Sequence, residues 1–435
     1  MEFSPNSVAI NPAALAAAGF STPPRLLRIA DWFADMAGFM RAPPMADALI
    51  ATAQGNTGLD DFGEWQFAKP LRMLLNACES EAGLGIFGRF AVRWDALRFL
   101  ENMLRLRDAE KRATHRVAIE QPIFVTGLPR SGTTFLYNLL MEDDANAAPR
   151  CWQTIYPGVV GDPKRERRAI RGVDRQLRIF RQLAPDFDSM HPFTATTPQE
   201  CSEITAHVFA SLRFDTTYHI PSYRAWLDVV GHHEAYRFHR YFLEHLARHE
   251  PLGRRWILKC PEHVFALDAI RQVYPDARFV FVHRDPMRVL ASVARLTEVL
   301  RQPFARRIDR ASIGRQVCDH WADGATRILD ARATTPADRI VHIRYRDLVG
   351  DPVATVTQLY AQFGLSCDDH LKSRIAAYVA AKPNGGYGQA QARYRLEDYG
   401  IDAACERRRF VDYVASFDVA PEPARNGDSV MEQAA

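Results

Sequence analysis

Apolar residues recur at helical spacing through the first quarter of the chain. The stretches RLLRIADWFADMAGFM, PLRMLLNACE and WDALRFLENMLRLRDAEKR lie between about residues 25 and 112. Each repeats an apolar residue every three to four positions, and none has a convincing period of two, so the pattern predicts amphipathic helices. Residues 1–115 are therefore expected to form a helical N-terminal region.

Four short apolar runs follow at wide intervals, and each opens into a helical pattern. They read PIFVTG near residue 122, RWILKCP near 255, ARFVFVHRD near 280 and RIVHIRYRD near 340. Continuous apolar runs of this length are typical of strands buried on both faces. Strands that alternate with helices predict an α/β fold, with a parallel sheet flanked by helices, across residues 116–420.

The segment of about residues 150–250 has a mostly helical but irregular pattern, and HPFTATTPQECSEI reads as a loop that enters a helix. A helical insertion of this kind usually shapes a substrate pocket, so we expect it to form the acceptor site. Near the end, AKPNGGYGQAQARYRLEDYGID starts as a Pro/Gly hinge and continues with basic and aromatic residues. Residues 421–435 are expected to be a disordered tail.

The composition of the chain limits which partners and which cellular compartment are expected. With 435 residues, 47% apolar content and a formal net charge of +3, the chain has material for a large core and no charge excess that indicates nucleic acid or membrane as a general partner. No apolar run approaches the roughly 18 residues that a transmembrane helix needs, and the start lacks a basic region before its apolar part. Seven scattered cysteines without a C-x-x-C pair argue against disulfides or zinc. We expect reduced thiols and a cytoplasmic location.

The stretch IFVTGLPRSGTTFLYNLL, residues 123–140, has the outline of a phosphate-binding loop. Gly127 and Gly132 keep the spacing of G-x-x-x-x-G-K-[ST], but Thr133 stands where the lysine belongs and Arg130 lies inside the loop. A strand, a glycine loop and a helix in this order direct backbone amides and the helix dipole at an anion. The stretch therefore predicts a P-loop-like core for an anion that needs no Mg²⁺-linked lysine.

The run FVFVHRDP carries a second candidate anion site. A nucleotide kinase normally supplies carboxylates for Mg²⁺ at such a strand end, but here Arg284 precedes Asp285, and Asp285 followed by Pro286 is typical of a helix N-cap. The helix then places Ser292 on its second turn, on the face of Arg288. Arg284 and Ser292 would bracket one phosphate, so the ligand is expected to carry phosphates at two separated positions, without a metal.

Together these motifs resemble the sulfotransferase family that uses 3′-phosphoadenosine 5′-phosphosulfate (PAPS), in the bacterial type whose loop reads G-x-P-R-S-G-T-T. The resemblance covers roughly residues 120–400. It implies that Arg284 and Ser292, which match the family's arginine and serine eight positions apart, bind the 3′-phosphate. It also implies that the 5′-phosphosulfate is held by the loop residues Arg130, Ser131, Gly132, Thr133 and Thr134.

The same resemblance implies nucleotide contacts later in the chain. RYRDLVGDP would match the family's tyrosine-acidic strand end, with Tyr345 near the adenine. The late basic stretch ARYRLEDYGID would correspond to the family's loop over the nucleotide, which assigns Arg393 and Arg395 to cofactor binding.

The catalytic residues are less fully defined. Lys259 in WILKCPEH matches L-K-x-P, so the resemblance implies contact with the bridging or transferred group; the alternative is a surface lysine at a strand end. The base that takes the acceptor's proton is left open between Glu200 in TTPQECSEI and His263 after Lys259, with His191 in MHPFT third. Each also fits a capping, core or surface role.

The resemblance implies transfer of a sulfuryl group from PAPS to a hydroxyl of a small-molecule or lipid acceptor. Aromatic residues around RCWQTIYPG and YHIPSYRAW either line the acceptor pocket or belong to the core, and the arginine run of residues 164–182 is either a solvated helix face or an attractor for an acidic acceptor. Two rival functions remain: a P-loop kinase or NTPase, which would need the missing loop lysine and metal carboxylates, and a nucleotide-binding module without catalysis.

Overall fold

A computed structural model describes residues 19–37, 45–190, 193–382 and 395–422. Its N-terminal part contains the predicted helices, and the last three of the four pack apolar residues into a common core. These are α1 (Arg25–Ala37), α2 (Ala46–Thr57), α3 (Ala68–Ser80) and α4 (Ile86–Arg112). A two-residue strand, β1 (Phe20–Ser21), pairs antiparallel with β6 (Ile308–Asp309). The boundary of this region at residue 115 remains a prediction.

A five-stranded parallel sheet forms the centre of the molecule. Its strands are β2 (Ile123–Gly127), β3 (Asn146–Ala147), β4 (Arg255–Lys259), β5 (Arg278–His283) and β7 (Ile340–Arg344). They lie in the order β3-β4-β2-β5-β7, and every neighbouring pair is parallel. Four of the five are the predicted apolar runs, so the expected α/β class is confirmed; β3 is too short to leave a pattern.

Both faces of the sheet are covered. Phe124 and Phe279 point into a core shared with the N-terminal helices, whereas Val125 and Val280, one position further along, point into a second core on the opposite face. Side chains alternate between the two faces of a strand, so a strand that is buried on both sides must be apolar at every position. This is why the strands appear in the sequence as continuous apolar runs.

Helices flank the sheet and fill the insertion. The glycine loop leads into α5 (Thr133–Leu140). The insertion is mostly helical, as predicted, and consists of α6 (Cys151–Ile155), α7 (Pro163–Leu183), α8 (Phe187–Met190), α9 (Ser202–Thr205), α10 (Arg213–Tyr218), α11 (Pro221–Val230) and α12 (His233–Ala247). The remaining helices are α13 (Leu267–Val273), α14 (Pro286–Arg301), α15 (Arg310–Thr334), α16 (Tyr345–Gly350), α17 (Pro352–Gln362), α18 (Asp369–Ala381), α19 (Ala403–Arg409) and α20 (Val411–Phe417).

The predicted start of α14 is present in detail. Asp285 caps the helix, because one of its carboxylate oxygens accepts a hydrogen bond from the Met287 amide at 3.0 Å, and Pro286 occupies the first helical position. The other oxygen accepts from the Glu422 amide at 2.9 Å. The carboxylate that follows β5 is therefore engaged by two backbone amides.

All seven cysteines are described, and all are free thiols. Five of them are buried, and Cys405 is exposed. Among the described helices, none combines the length and the apolar character that a bilayer span requires.

Candidate active site

Two glycines of the loop lie so close to neighbouring residues that they fix the conformation of the loop. Gly127 has a φ of 135°, and a Cβ at this position would lie 2.5 Å from the Val282 carbonyl oxygen on β5. Gly132 has a φ of 99°, and its Cβ would lie 2.9 Å from the ring of Tyr345 at the start of α16. Only glycine combines this conformation with this spacing. The loop is therefore wedged between β5 and α16.

The glycine loop contains a buried hydroxyl and leads into the first turn of α5. Ser131 is fully buried, and its hydroxyl has no hydrogen-bond partner among the described residues. Thr133 and Thr134 form the first turn of α5 and line the cavity described below. The first amides of a helix have no partner inside the helix, and a buried hydroxyl without a partner is costly. An anion at this loop would satisfy both groups.

The loop arginine and the predicted second anion site form one connected cluster. Arg130 donates from Nε to the Ser292 hydroxyl at 3.1 Å, and Arg284 donates from Nη1 to the Arg130 carbonyl at 2.9 Å. Arg130 also donates to the Met190 carbonyl. The guanidinium of Arg284 lies 3.9 Å from the centre of the Tyr345 ring. Four residues that are dispersed over the sequence thus meet at the carboxyl edge of the sheet.

The carboxylate of Glu422 forms a bidentate ion pair with the Arg284 guanidinium. The two bonds of this fork are 2.6 Å from Nε and 2.7 Å from Nη2. Glu422 belongs to the segment that was expected to be disordered from residue 421, of which residues 423–435 lie outside the described part. A bidentate carboxylate is the geometry with which arginine also binds phosphate, so Glu422 shows where an anion fits.

Of the other predicted nucleotide contacts, two line the cavity and one lies outside the described residues. Tyr345 and Arg395 both line the cavity, and the Arg395 amide donates to the Asp398 carboxylate at 2.9 Å. Arg288, from the face of α14 that carries Ser292, lines the cavity as well. Arg393 and the candidate base His191 lie outside the described residues.

Lys259 and Glu200 form an ion pair at the end of β4. The segment of Glu200 pairs with this strand end as a short parallel bridge, in which the Cys201 amide donates to the Lys259 carbonyl at 3.1 Å. The two charged side chains are in direct contact. Only 3% of the Lys259 side chain is exposed, so the alternative of a surface lysine is wrong. Both residues line the cavity.

Glu262 is a second carboxylate beside this pair, and no role was predicted for it from the sequence. It lies one turn beyond Lys259 and lines the same cavity. Burial, together with the nearby charge of Glu200, raises the pKa of Glu262 to about 8 from an ordinary value of 4.5. Its carboxyl is therefore protonated at neutral pH. The surroundings of the two carboxyl groups differ, because Glu200 contacts the Lys259 ammonium directly.

His263 points into the core rather than into the cavity. It is fully buried, its Nδ1 lies 2.5 Å from the Tyr236 hydroxyl, and its ring contacts Phe124 edge to face at 5.0 Å. Burial lowers the pKa of His263 well below its ordinary value. The structure thus brings Glu200, and not His263, next to Lys259 at the cavity surface.

One large cavity of about 1620 Å³ connects the glycine loop to an aromatic chamber. Its polar end holds the loop, Lys259 and the arginine cluster. Its other end is lined by aromatic side chains from α4, α7, α8 and the loops beside them, namely Phe87, Phe90, Trp94, Phe180, Phe187, Phe193 and Phe304. Single-ligand pockets usually measure about 300–1,000 Å³, so this volume suits two ligands side by side.

Sequence reasoning missed the aromatic chamber for a physical reason. Phe87, Phe90 and Trp94 recur at helical spacing, which is the pattern of a helix face that packs in a core. Of the aromatic stretches singled out in the sequence, Tyr218 does line the cavity, whereas Trp152 is buried in a core cluster.

A buried square of charges ties the N-terminal helices to the insertion. Asp95 and Arg98 on α4 meet Glu203 on α9 and Arg213 on α10, and the four contacts measure between 2.6 and 3.0 Å. All four residues line the cavity. Two cations and two anions balance each other, so the square has no net charge. Its ion pairs connect the helices that form the wall of the chamber. No local sequence signal links residues more than 100 positions apart.

Comparison with known proteins identifies the relatives of this chain. A family model described as the sulfotransferase family matches residues 122–369. The omega-hydroxy-beta-dihydromenaquinone-9 sulfotransferase Stf3 of Mycobacterium bovis is 25% identical over 325 residues, which are 69% of this chain and 75% of the relative.

Two solved structures share the fold over most of the chain. Sulfotransferase STF1 from Mycobacterium tuberculosis has a TM-score of 0.74 and 30% identity, and the match covers 85% of this chain and 99% of that one. Sulfotransferase STF9 from Mycobacterium avium has a TM-score of 0.77 and 23% identity, with 89% and 100% covered.

Proposed function

The chain belongs to the sulfotransferase family, and from this premise we propose that it transfers a sulfuryl group from PAPS to the hydroxyl of a hydrophobic, lipid-like acceptor. The observation that carries the proposal is the single cavity, which joins an anion-binding loop and its arginines to an aromatic chamber. The donor and the acceptor would meet where the two ends join, beside Lys259 and Glu200.

The polar end of the cavity fits the donor. The buried Ser131 hydroxyl without a partner and the first amides of α5 supply donors for the 5′ end. Arg284, which already binds the carboxylate of Glu422, supplies the fork for a 3′-phosphate, with Ser292 beside it. When bound, PAPS would supply a sulfuryl group on a nucleotide phosphate leaving group, whose charge cations and amides stabilise. Tyr345 and Arg395, with Arg393, would complete the nucleotide site.

The catalytic roles follow from the ion pair at the end of β4. We assign Glu200 as the base that accepts the proton of the acceptor hydroxyl, because its carboxylate contacts Lys259 and lines the cavity. Lys259 is held by Glu200 so that its ammonium stabilises negative charge on the departing phosphate. Glu262, which is protonated at neutral pH, would donate a hydrogen bond rather than accept a proton.

The aromatic end of the cavity favours an apolar acceptor. Aromatic side chains bury large apolar area, and the chamber offers them from several elements at once. The relative Stf3 bears a name that specifies a hydroxylated menaquinone as its substrate, so we propose a hydroxyl on an isoprenoid-like or similarly hydrophobic body. The free thiols agree with a reducing compartment, and a cytoplasmic location is part of the proposal.

The direct test is an incubation of the protein with PAPS and a panel of hydroxylated isoprenoids, phenols and sugars. Product mass and release of 3′-phosphoadenosine 5′-phosphate are measured together. We expect transfer to hydrophobic alcohols, and none with the Lys259→Ala variant. Binding of the nucleotide without turnover on any acceptor would instead support the non-catalytic module.

Activity is expected to be independent of Mg²⁺ and to survive excess EDTA. The loop lacks the lysine of an NTPase, and the carboxylate after β5 is occupied by the Met287 and Glu422 amides. Rates in EDTA and in a series of Mg²⁺ concentrations provide the measurement. A steep, saturable requirement for Mg²⁺ would revive the kinase interpretation.

Replacement of Glu262 by glutamine is expected to stabilise the protein at alkaline pH. The pKa of this carboxyl is raised to about 8 in the folded chain, so folding holds a proton that the unfolded chain loses near its ordinary pKa of 4.5. Wild-type stability should therefore decline between about pH 4.5 and pH 8 by an amount on the order of a few kcal/mol. Glu262→Gln, which stays neutral, should lack this decline.

Thermal unfolding of both proteins between pH 5 and pH 9 measures the difference. The exposed Glu397→Gln provides the matched control. A constant difference between wild type and Glu262→Gln across this range would contradict a raised pKa at this position.

A further inference from the structure

We propose that the surface around the cavity mouth docks on an anionic lipid bilayer. Two independent features carry the proposal: the outward apolar face of α1, and a row of exposed arginines on α7 that form no ion pair with any described residue. Binding to a bilayer is a property separate from the sulfuryl transfer proposed above.

Helix α1 turns its acidic residues toward the protein. The Asp31 carboxylate accepts from the Ile86 amide at the start of α4 at 2.5 Å, and Asp35 pairs with Arg306 at 2.6 and 2.8 Å. Surface helices normally turn their apolar side inward and their charged side outward. In α1 this order is reversed.

The outward side of α1 is apolar. Five large side chains at spacings of three and four positions are exposed, namely Leu26, Ile29, Trp32, Phe33 and Met36. Trp32 and Phe33 are 51% and 57% exposed, and their rings contact each other at 4.8 Å. Tryptophan and phenylalanine on one helical face are typical of helices that lie in the headgroup region of a bilayer.

The cavity mouth continues this apolar surface. Phe90 and Trp94 on α4 and Ile179 on α7 line the cavity and yet remain 55%, 38% and 51% exposed. Phe90 and Trp94 lie one and two helical turns beyond Ile86, whose amide donates to the Asp31 carboxylate of α1. The exposed side chains of α1 and of the mouth therefore belong to neighbouring elements.

The last turns of α7 meet the same junction. Phe304, two residues before the arginine that binds Asp35, contacts Phe87 of α4 at 5.7 Å and Phe180 of α7 at 6.3 Å between ring centres. Helices α1, α4 and α7 thus converge around residues 304–306, next to the mouth.

A row of cations runs along α7 toward the mouth. Arg168, Arg171, Arg175 and Arg178 follow one another at helical spacing, and Ile179 continues the row. All four arginines are exposed, and none forms an ion pair with a described residue. Anionic headgroups attract basic residues that lie close to the bilayer surface, so a negatively charged bilayer would supply counter-charges for this row.

Charge decides between a bilayer and a second copy of the chain. In a two-fold interface the same patch faces itself, so the arginine rows near the mouth would approach each other and repel. An anionic bilayer accommodates the apolar face of α1 and the cations of α7 together. If the acceptor is lipid-like, as the proposed function holds, it would enter the chamber from the bilayer without crossing water.

Co-sedimentation of the full chain with vesicles tests the proposal, in the absence of nucleotide and acceptor. We expect binding to vesicles of phosphatidylglycerol and phosphatidylcholine, weaker binding to pure phosphatidylcholine, and a loss of binding as salt is raised. Two double variants, Trp32→Ser with Phe33→Ser and Arg171→Gln with Arg175→Gln, should each bind about tenfold more weakly or worse.

Matched controls carry the same changes elsewhere on the surface. Val229→Ser with Leu252→Ser removes two apolar side chains that are 86% and 85% exposed, and Arg407→Gln with Arg408→Gln removes two exposed cations of α19. Both controls should bind vesicles as the wild type does. Thermal unfolding of every variant verifies that the fold is retained.

Three outcomes would overturn the proposal. These are no binding to anionic vesicles at low salt, equal binding by the test and control variants, and a wild-type dimer that Trp32→Ser with Phe33→Ser converts to a monomer without a change in vesicle binding. The last result would assign the apolar face to a second copy. Because no step of this test requires turnover, its failure and a failure of the proposed reaction are distinguishable.

Discussion

Glu200→Gln is expected to lose about 10²–10⁴-fold in turnover while it keeps its affinity for 3′-phosphoadenosine 5′-phosphate. A general base typically increases the rate by a factor of this size and adds little to cofactor binding. The carboxylate of Glu200 reaches the cavity and contacts Lys259, whereas the amide of glutamine cannot take a proton from an alcohol. Single-turnover rates and calorimetric titration of the nucleotide separate the two effects.

His263→Asn is the companion variant, with the opposite expected result. His263 is fully buried against Tyr236 and Phe124, so its replacement should cost roughly 1–3 kcal/mol of stability and leave the turnover of the folded fraction intact. A variant that folds stably but loses turnover would instead assign the base to His263. If both variants turn over at the wild-type rate, neither is the base, and His191 becomes the candidate.

Arg284→Ala is expected to weaken binding of 3′-phosphoadenosine 5′-phosphate by roughly 10- to 150-fold, because a charge-assisted bond is worth about 1.5–3 kcal/mol. Arg284 holds the Glu422 carboxylate with a bidentate fork, which is also the arrangement for a phosphate. The variant should also discriminate poorly between PAPS and adenosine 5′-phosphosulfate, which lacks the 3′-phosphate. Calorimetry with both nucleotides makes the measurement, and an unchanged affinity would contradict the assigned site.

Glu422→Gln provides the control with the opposite sign. If Glu422 competes with the 3′-phosphate for the Arg284 guanidinium, its replacement should tighten nucleotide binding, by up to roughly tenfold. Because Arg284→Ala removes this competition as well as the phosphate contact, its full effect should appear only in the Glu422→Gln background. Additive effects of the two changes would indicate that the residues act independently.

The sequence by itself determined the local elements of this protein. The apolar runs predicted four of the five strands, because a strand buried on both faces must be apolar at every position. Helical spacing predicted the N-terminal helices and the insertion, and the Asp285-Pro286 pair predicted the cap of α14. Each of these signals depends on residues within a few positions of one another, which is why they can be read without a fold.

The residues of the anion site could be predicted from the sequence for a similar reason. Its parts lie in short motifs at strand ends, and parallel strands bring their carboxyl ends to one edge of the sheet. Arg284 and Ser292 were expected to bracket one phosphate and Arg130 to bind a second anion at the glycine loop, and the structure connects the three residues by hydrogen bonds. Their roles toward PAPS remain predictions.

Only the tertiary structure decided which side chains face the cavity. Glu200 and His263 were equivalent in the sequence, but the bridge to β4 turns Glu200 toward Lys259, while packing turns His263 into the core. The hold of Glu422 on Arg284 joins residues 138 positions apart, and the raised pKa of Glu262 arises from burial beside Glu200. Orientation, burial and long-range pairing depend on how whole elements pack, and no local pattern encodes them.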